Sequence, residues 1–214
     1  MKIGILGTGD VGRALGTGFA KLGHDVKMGS RSKTNEKAVA WARETGAKAS
    51  VGTFAEAAQF GDVVVLATLG TATEDILKSV GAAAFKGKIV IDTTNPLDFS
   101  GGMPPKLFVG GTDSLGERIQ RILPSAHVVK AFNTVGNAWM FKPDFPGGPP
   151  DMFICGNDAD AKKKVGQILR DFGWGIVDSG SIESSRYLEP MCMVWVIHGV
   201  LTNSWSHAFK LLQK

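Results

Sequence analysis

The chain opens on an apolar run, Lys2-Ile3-Gly4-Ile5-Leu6, that passes directly into Gly7-Thr8-Gly9-Asp10-Val11-Gly12. This order of strand, glycine turn and helix start restricts the fold more than any other feature of the sequence. The first glycine permits the tight turn, the second lets the backbone approach a pyrophosphate, and the third lets the following helix pack closely on the strand. Backbone N–H groups and the positive end of the helix dipole then hold phosphate oxygens. A turn without a ligand is the alternative reading, but the helical spacing of Val11 to Leu22 and a second strand at Asp25 to Met28 follow in the order that a dinucleotide-binding βαβ unit requires.

The remainder of the chain continues the alternation. Strands are expected near Ala47–Ser50 and at Asp62–Ala67, Lys88–Asp92, His127–Ala131, Met152–Cys155 and Gly175–Val177, with helices at Glu36–Thr45, Phe54–Gln59, Thr73–Val80, Leu115–Ile122 and Ala159–Phe172. Short β-branched strands between longer helices indicate an α/β fold of the Rossmann type, with a doubly wound, mainly parallel sheet. The expected organisation is a dinucleotide-binding domain over residues 1–178 and a helical segment over 179–214, packed on the same domain or in a dimer interface. That segment reads as one long apolar helix starting with Pro190 at its first position and carrying Trp195, Leu201, Trp205, Phe209 and Leu212. Two Gly/Pro-rich loops, Ser100–Pro105 and Lys142–Pro150, read as lids, binding segments or linkers.

The end of the second strand distinguishes NAD from NADP. An acidic residue there would grip the ribose 2′-hydroxyl and repel a 2′-phosphate. The chain instead has Gly29-Ser30-Arg31-Ser32-Lys33. Ser30, Arg31 and Lys33 are therefore expected to hold a 2′-phosphate, Arg31 through charge-assisted hydrogen bonds.

In a doubly wound sheet, ligands lie beyond the carboxyl ends of the strands. Ala67, Thr68 and Leu69 end one strand, Asn95 and Pro96 follow another, and Ala131, Asn133 and Thr134 follow a third. These positions are expected to wall the nicotinamide, unless they serve only as turn formers. Small residues at Ala67, Gly70, Ala131 and Gly136 leave room for a planar partner, with Trp139 or Met140 closing over it.

Other chemistries find little support. The sequence has no triad, no paired-carboxylate motif and no metal-ligand spacing, and its four histidines are isolated. Cys155 and Cys192 are far apart and read as reduced core residues. Net charge is +4, with basic residues scattered apart from Lys162-Lys163-Lys164, so no nucleic-acid partner is expected. The longest apolar stretch, Met191–Leu201, is interrupted by His198 and Gly199, and the N-terminus lacks a signal-peptide layout. The expected location is the cytoplasm, with no membrane partner.

The glycine turn, Gly29-Ser30-Arg31, Val129-Lys130-Ala131-Phe132-Asn133-Thr134-Val135 and the run from Asp178 to Pro190 with Arg186-Tyr187-Leu188-Glu189-Pro190 together resemble the deazaflavin (coenzyme F420)-dependent NADP oxidoreductases. The resemblance covers nearly the whole chain. It implies NADP held at the glycine turn with Ser30 and Arg31 on the 2′-phosphate, and a deazaflavin stacked on the nicotinamide so that hydride passes directly between the rings. The implied cleft wall is the Ala67–Gly70 turn, Asn95-Pro96, Asn133–Gly136 and the start of the terminal helix. The same motifs are similar to the cytosolic oxidoreductase domain of six-transmembrane metalloreductases, which implies a flavin as an alternative second cofactor. Phe141–Pro150, with Trp139 before it, departs from the deazaflavin family in the region expected to contact that cofactor.

The function so implied is an NADPH-dependent oxidoreductase with small-molecule redox cofactors as partners, working as a homodimer through its apolar terminal helix. A small-substrate β-hydroxyacid or imine dehydrogenase and a non-catalytic NADP-sensing protein are the alternatives. The first usually needs a large helical C-terminal domain, for which Asp178 to Lys214 leave little room.

Overall fold

A computed structural model describes residues 1–214. Its strands are β1 (Lys2–Leu6), β2 (Asp25–Ser30), β3 (Ala49–Thr53), β4 (Val63–Leu66), β5 (Ile89–Asp92), β6 (Leu97–Asp98), β7 (Lys106–Leu107), β8 (His127–Lys130), β9 (Asp151–Gly156) and β10 (Gly175–Asp178). The helices are α1 (Asp10–Lys21), α2 (Glu36–Thr45), α3 (Phe54–Phe60), α4 (Gly70–Val80), α5 (Leu115–Ile122), α6 (Ala159–Asp171) and α7 (Ser185–Thr202).

Eight strands form one sheet in the order β10-β9-β8-β5-β4-β1-β2-β3. The run from β3 to β8 is parallel, β8 and β9 pair antiparallel, and β10 is parallel to β9. The order reverses between β1 and β4, and a ligand crevice opens at such a switch point. Alternate strand residues feed two cores. Ile3, Ile5, Val63, Val65 and Ile91 face α1, α2 and α6, where Leu15, Phe19, Trp41, Val165 and Leu169 meet them. Leu6, Val64, Leu66 and Val90 face the other helix layer, with Ala57, Leu77, Leu115, Ile119 and Leu188. Strands apolar on both faces are the consequence of helices on both faces.

Local signals fix the helix ends. Asn35 accepts a hydrogen bond from Ala38 N, Thr53 and Glu56 form a reciprocal capping box, and Asp158 accepts from Ala161 N at 2.7 Å.

The C-terminal segment departs from expectation. The helix starts five residues before Pro190, which lies inside α7, and stops at Asn203 in the left-handed conformation (φ 49°). The chain then reverses. Trp205 packs where Gly199 has no side chain, its ring atoms 2.5 Å from the position a Cβ would take. Trp195 Nε1 donates to His207 O at 2.9 Å, and Asp151 N donates to Phe209 O at 2.9 Å, so residues 207–211 run back beside β9. Periodicity alone continues the helix because Trp205, Phe209 and Leu212 keep apolar spacing, but they do so from a returning strap.

The Ser100–Pro105 loop is the tip of a hairpin formed by β6 and β7. Lys142–Pro150 leads into β9, with Lys142 N donating to Phe172 O at 2.7 Å. No helix is long and apolar enough to cross a membrane.

Candidate functional site

A cleft of about 760 Å³ lies over the carboxyl ends of β1, β2, β4 and β5. Its wall includes Gly7, Thr8, Gly9, Asp10, Val11, Arg31, Ala67, Thr68, Leu69 and Asn95, ten of the positions expected from sequence.

The glycine turn leaves the room that a phosphate cradle would need. Gly7 has φ +131°, and a Cβ there would lie 2.1 Å from Ala67 O. A Cβ on Gly12 would lie 2.4 Å from Gly7 O, so the third glycine seats α1 on the turn rather than facing the cleft. At Gly9 a Cβ would meet nothing within 4 Å. Gly9 is also the N-cap of α1, and no side chain caps that helix. The cradle is thus open at the one glycine whose side chain would fill it, and the amides of the first turn are free of a side-chain acceptor. Asp10, the acid in that turn, is paired with Arg13.

At the β2 end the expected cations separate. Arg31 and Lys37 line the cleft. Lys33 does not; its ammonium lies 2.6 Å from Glu56 Oε1, and that contact, with the Thr53 amide, lowers the Glu56 carboxyl to about 2. Ser30 is buried, its hydroxyl donating to Ser32 O at 2.5 Å and accepting from Ser32 N at 3.1 Å, so it shapes the turn that presents Arg31. Lys37, in the first turn of α2, was missed because a lysine on a helix carries no motif.

The other end is walled by Ala67 to Gly70, Thr93, Thr94, Asn95, Leu97, Phe99 and Asn137. A Cβ on Gly70 would lie 2.0 Å from Asn95 O, so the start of α4 touches the turn after β5 only because residue 70 is glycine. Thr93 Oγ1 donates to Leu66 O at 2.8 Å, and Asn95 Nδ2 donates to Asn133 O at 2.8 Å. Pro96, Ala131, Asn133 and Thr134 are buried behind this wall. Asn133 Nδ2 donates to Asn95 Oδ1 at 3.1 Å and to Leu188 O at 2.8 Å, tying the turns after β5 and β8 to α7. Phe132 holds a left-handed backbone (φ 61°) with its ring against Phe172 and Trp174, a strained position that packing fixes.

Trp139 and Met140 do not close the cleft. Trp139 packs against Phe145 with tilted rings whose centroids are 4.9 Å apart, and Met140 is buried in the core with its carbonyl accepting from Trp174 Nε1. Gly136 faces Trp195 rather than the cleft. Aromatic residues in a polar loop read as a lid from sequence, but the nearby Phe172 and Trp174 offer them a core instead.

Behind the wall lies a charged cluster that sequence reasoning did not single out. Lys130 is fully buried, its Nζ 2.6 Å from Asp92 Oδ2 and 3.0 Å from Glu189 Oε1, and it donates to Thr94 O at 2.9 Å. Glu189 also accepts from the amides of Leu115 and Gly116 at the start of α5, at 3.0 and 2.9 Å. Burial alone would push the Lys130 ammonium down, but the two carboxylates raise it above the ordinary lysine range. Asp92, Lys130 and Glu189 lie 38 and 59 residues apart in the chain, too far for any local pattern to join them.

The titratable side chains of the cleft wall are Asp10, Arg31 and Lys37. The histidines lie elsewhere: His24 contacts the N-terminal amine, His127 pairs with Asp158, and His198 and His207 pack together beside Trp195. Burial pushes the Cys192 thiol up to about 12 and raises that of Cys155.

The sequence profile of a family described as coenzyme F420-dependent NADP oxidoreductases matches residues 2–96. A curated relative, the F420-dependent NADP reductase of Methanocaldococcus jannaschii, is 34% identical over 199 residues, covering 88% of each chain. The chain belongs to the coenzyme F420-dependent NADP oxidoreductase family. A crystal structure from Arthrobacter sp. FB24, described as a candidate F420-dependent NADP-reductase, superposes on this family member with a TM-score of 0.94 and 39% identity over 100% of both chains. Metalloreductase STEAP3 of Rattus norvegicus is 32% identical over 188 residues, but these span 36% of that protein.

Proposed function

We propose that the cleft binds NADP(H) and that the protein is an oxidoreductase passing hydride between the nicotinamide and coenzyme F420, with a flavin as the other acceptor of suitable shape. The observation that carries this reading is the asymmetry of the wall: the cations Arg31 and Lys37 at the β2 end, the open Gly9 cradle at the centre, and no acid–base pair at the β5 end. Hydride transfer between two bound rings supplies its own chemistry and asks the protein to align the reacting carbons about 3–3.5 Å apart. In this division of labour Arg31 and Lys37 take the 2′-phosphate, the first-turn amides of α1 take the pyrophosphate, and Ala67, Thr68, Thr93, Thr94 and Asn95 orient the nicotinamide. Pro96, Ala131, Asn133 and Thr134 support that wall from behind, as Ser30 supports Arg31. The relatives described as F420-dependent NADP reductases over 88% of the chain favour this over a small-substrate dehydrogenase or a sensor.

The reading includes a cytoplasmic homodimer in which residues 179–214 pack on the 1–178 domain and present α7 to a second copy. Val194, Ile197 and Leu201 project from one side of α7 and are exposed, as is Leu212 beyond it. Light scattering at micromolar concentration is expected to give twice the chain mass, and a monomer would remove the dimer.

Arg31→Asp is expected to weaken NADPH binding by the ~1.5–3 kcal/mol of a charge-assisted contact while changing NADH binding much less. Equal weakening of both would remove Arg31 from the 2′-phosphate. Incubating the protein and NADPH with F420, FMN, FAD or ferric chelate, and following the nicotinamide absorbance, tests the reaction. Tight NADPH binding with no acceptor reduced above the enzyme-free rate would leave the sensor reading in its place.

A further inference from the structure

The hairpin of β6 and β7 has no part in the division of labour above, yet two of its residues, Leu97 and Phe99, reach the cleft. Phe99 is 52% exposed, and Leu69, on the turn after β4, is 72% exposed. Both line the same cleft, so two large apolar side chains stand in water at its mouth.

Topology says which end they serve. Adjacent strands lie about 4.8 Å apart, so β2 and β5, separated by β1 and β4, hold their ends roughly 14 Å apart. A dinucleotide with its 2′-phosphate at Arg31 and its pyrophosphate at Gly9 has its other ring over the ends of β4 and β5. Phe99 and Leu69 follow those two strands.

The hairpin is set to hold Phe99 there. Leu97 pairs with Leu107, Asp98 pairs with Lys106, and Phe108 N donates to Pro96 O at 2.9 Å. Just past Phe99, the Ser100 amide and hydroxyl both donate to the Asp98 carboxylate at 2.9 Å, which holds that carboxyl below its usual range. The backbone on either side of Phe99 is thus fixed while its ring has solvent before it. The β5 end accordingly combines a polar floor, Thr93, Thr94 and Asn95, with apolar mouth residues. This combination suits a flat heteroaromatic ring whose edge is polar and whose face is not.

We propose that the hairpin is the acceptor-binding element and that Phe99 is its specificity-determining residue, packing against the planar ring that exchanges hydride with the nicotinamide. This rests on the NADP(H) and deazaflavin reading above. It moves the cover of the second ring from the Trp139 loop, whose aromatics are spent on the core, to the segment after β5.

The test uses the full-length protein with Phe99→Ala and Phe99→Tyr, measuring NADPH Kd by nicotinamide fluorescence, and the KM and kcat for F420 at saturating NADPH. Loss of Phe99's face is expected to raise the F420 KM about tenfold. NADPH Kd should stay within about twofold, and Phe99→Tyr should restore the KM because it keeps the ring. An unchanged thermal midpoint checks that the exposed substitution leaves the fold intact. An F420 KM within about twofold of the parent would overturn the proposal and leave the F420 reading standing. A parallel rise in NADPH Kd would overturn it too, by assigning Phe99 to the nicotinamide nucleotide. If the parent protein neither binds nor reduces F420 or a flavin when loaded with NADPH, the underlying reading fails and the proposal with it.

Discussion

The glycine turn at the start of α1 and the Asp92–Lys130–Glu189 cluster behind the β5 wall both manage charge, and they do it in opposite ways. The turn leaves its groups unspent: α1 has no side-chain cap, Gly9 faces open space, and nearby Arg31 lines the cleft. The cluster pairs its charges internally, with one ammonium between two carboxylates and the α5 amides closing Glu189. A site that waits for an anion must keep its donors free, whereas a support that must not move has its charges paired internally. The first costs little to form and gains its energy on binding. The second stabilises only while every member is present, because a lone buried charge is penalised far more than a pair is rewarded.

The largest expected effect comes from breaking the paired region. Lys130→Met leaves Asp92 and Glu189 facing each other without a cation, and should destabilise the fold by about 3–5 kcal/mol in urea unfolding. Neutralising all three positions together, with Asp92→Asn and Glu189→Gln added, should recover much of that loss. If Lys130→Met alone were neutral, the cluster would not be a support and the contrast with the turn would fail.

The same contrast explains what could be read from the sequence. The turn is local: strand, glycines and helix lie within Lys2–Leu22, and Arg31 follows the next strand, so spacing located six of the cleft's wall residues, and the ends of later strands gave four more, Ala67, Thr68, Leu69 and Asn95. The doubly wound sheet was legible for the same reason, since each βαβ unit is a short-range pattern. The cluster was not, because its members meet only after β5, β8 and α7 have assembled. Lys33 was expected from its place just after β2 and Lys37 was not, yet Lys37 lines the cleft while Lys33 is drawn away by Glu56. The strap after Asn203 was illegible because its apolar residues keep helical spacing while the backbone turns back.

A smaller effect sharpens the comparison within the turn itself. Gly12→Ala places a methyl group 2.4 Å from Gly7 O, a backbone atom that cannot swing away, so it should cost roughly 1–3 kcal/mol of stability as well as weakening NADPH binding. Gly9→Ala meets no atom within 4 Å and has φ −73°, which alanine adopts freely. Its thermal midpoint should be unchanged or slightly raised, while NADPH affinity falls because the methyl group fills the cradle. Retained affinity in Gly9→Ala would show that the pyrophosphate does not approach this residue.

The smallest effect tests whether Lys33 belongs to the cleft or to the capping of α3. Its ammonium holds the Glu56 carboxyl at about 2, aided by the Thr53 amide, which Glu56 accepts at 2.8 Å. Because that carboxyl is lowered from its ordinary 4.5, its contribution to stability is present above pH 4.5 and is lost as pH falls toward 2. Lys33→Met should therefore raise the Glu56 pKa toward the ordinary value in an NMR titration, so that the acid loss still starts near pH 4.5 but is smaller and complete at a higher pH. Stability at neutral pH should barely move, since both side chains of the pair are largely in solvent. NADPH affinity should stay within about twofold, whereas Lys37→Met, which removes a cation from the cleft wall, should lower it and leave NADH binding alone. The salt dependence gives a second reading, because a cation that touches the 2′-phosphate steepens the fall of affinity with ionic strength and a cation held by Glu56 does not. A loss of NADPH affinity in Lys33→Met equal to that in Lys37→Met would return Lys33 to the site, with Glu56 releasing it when the phosphate arrives.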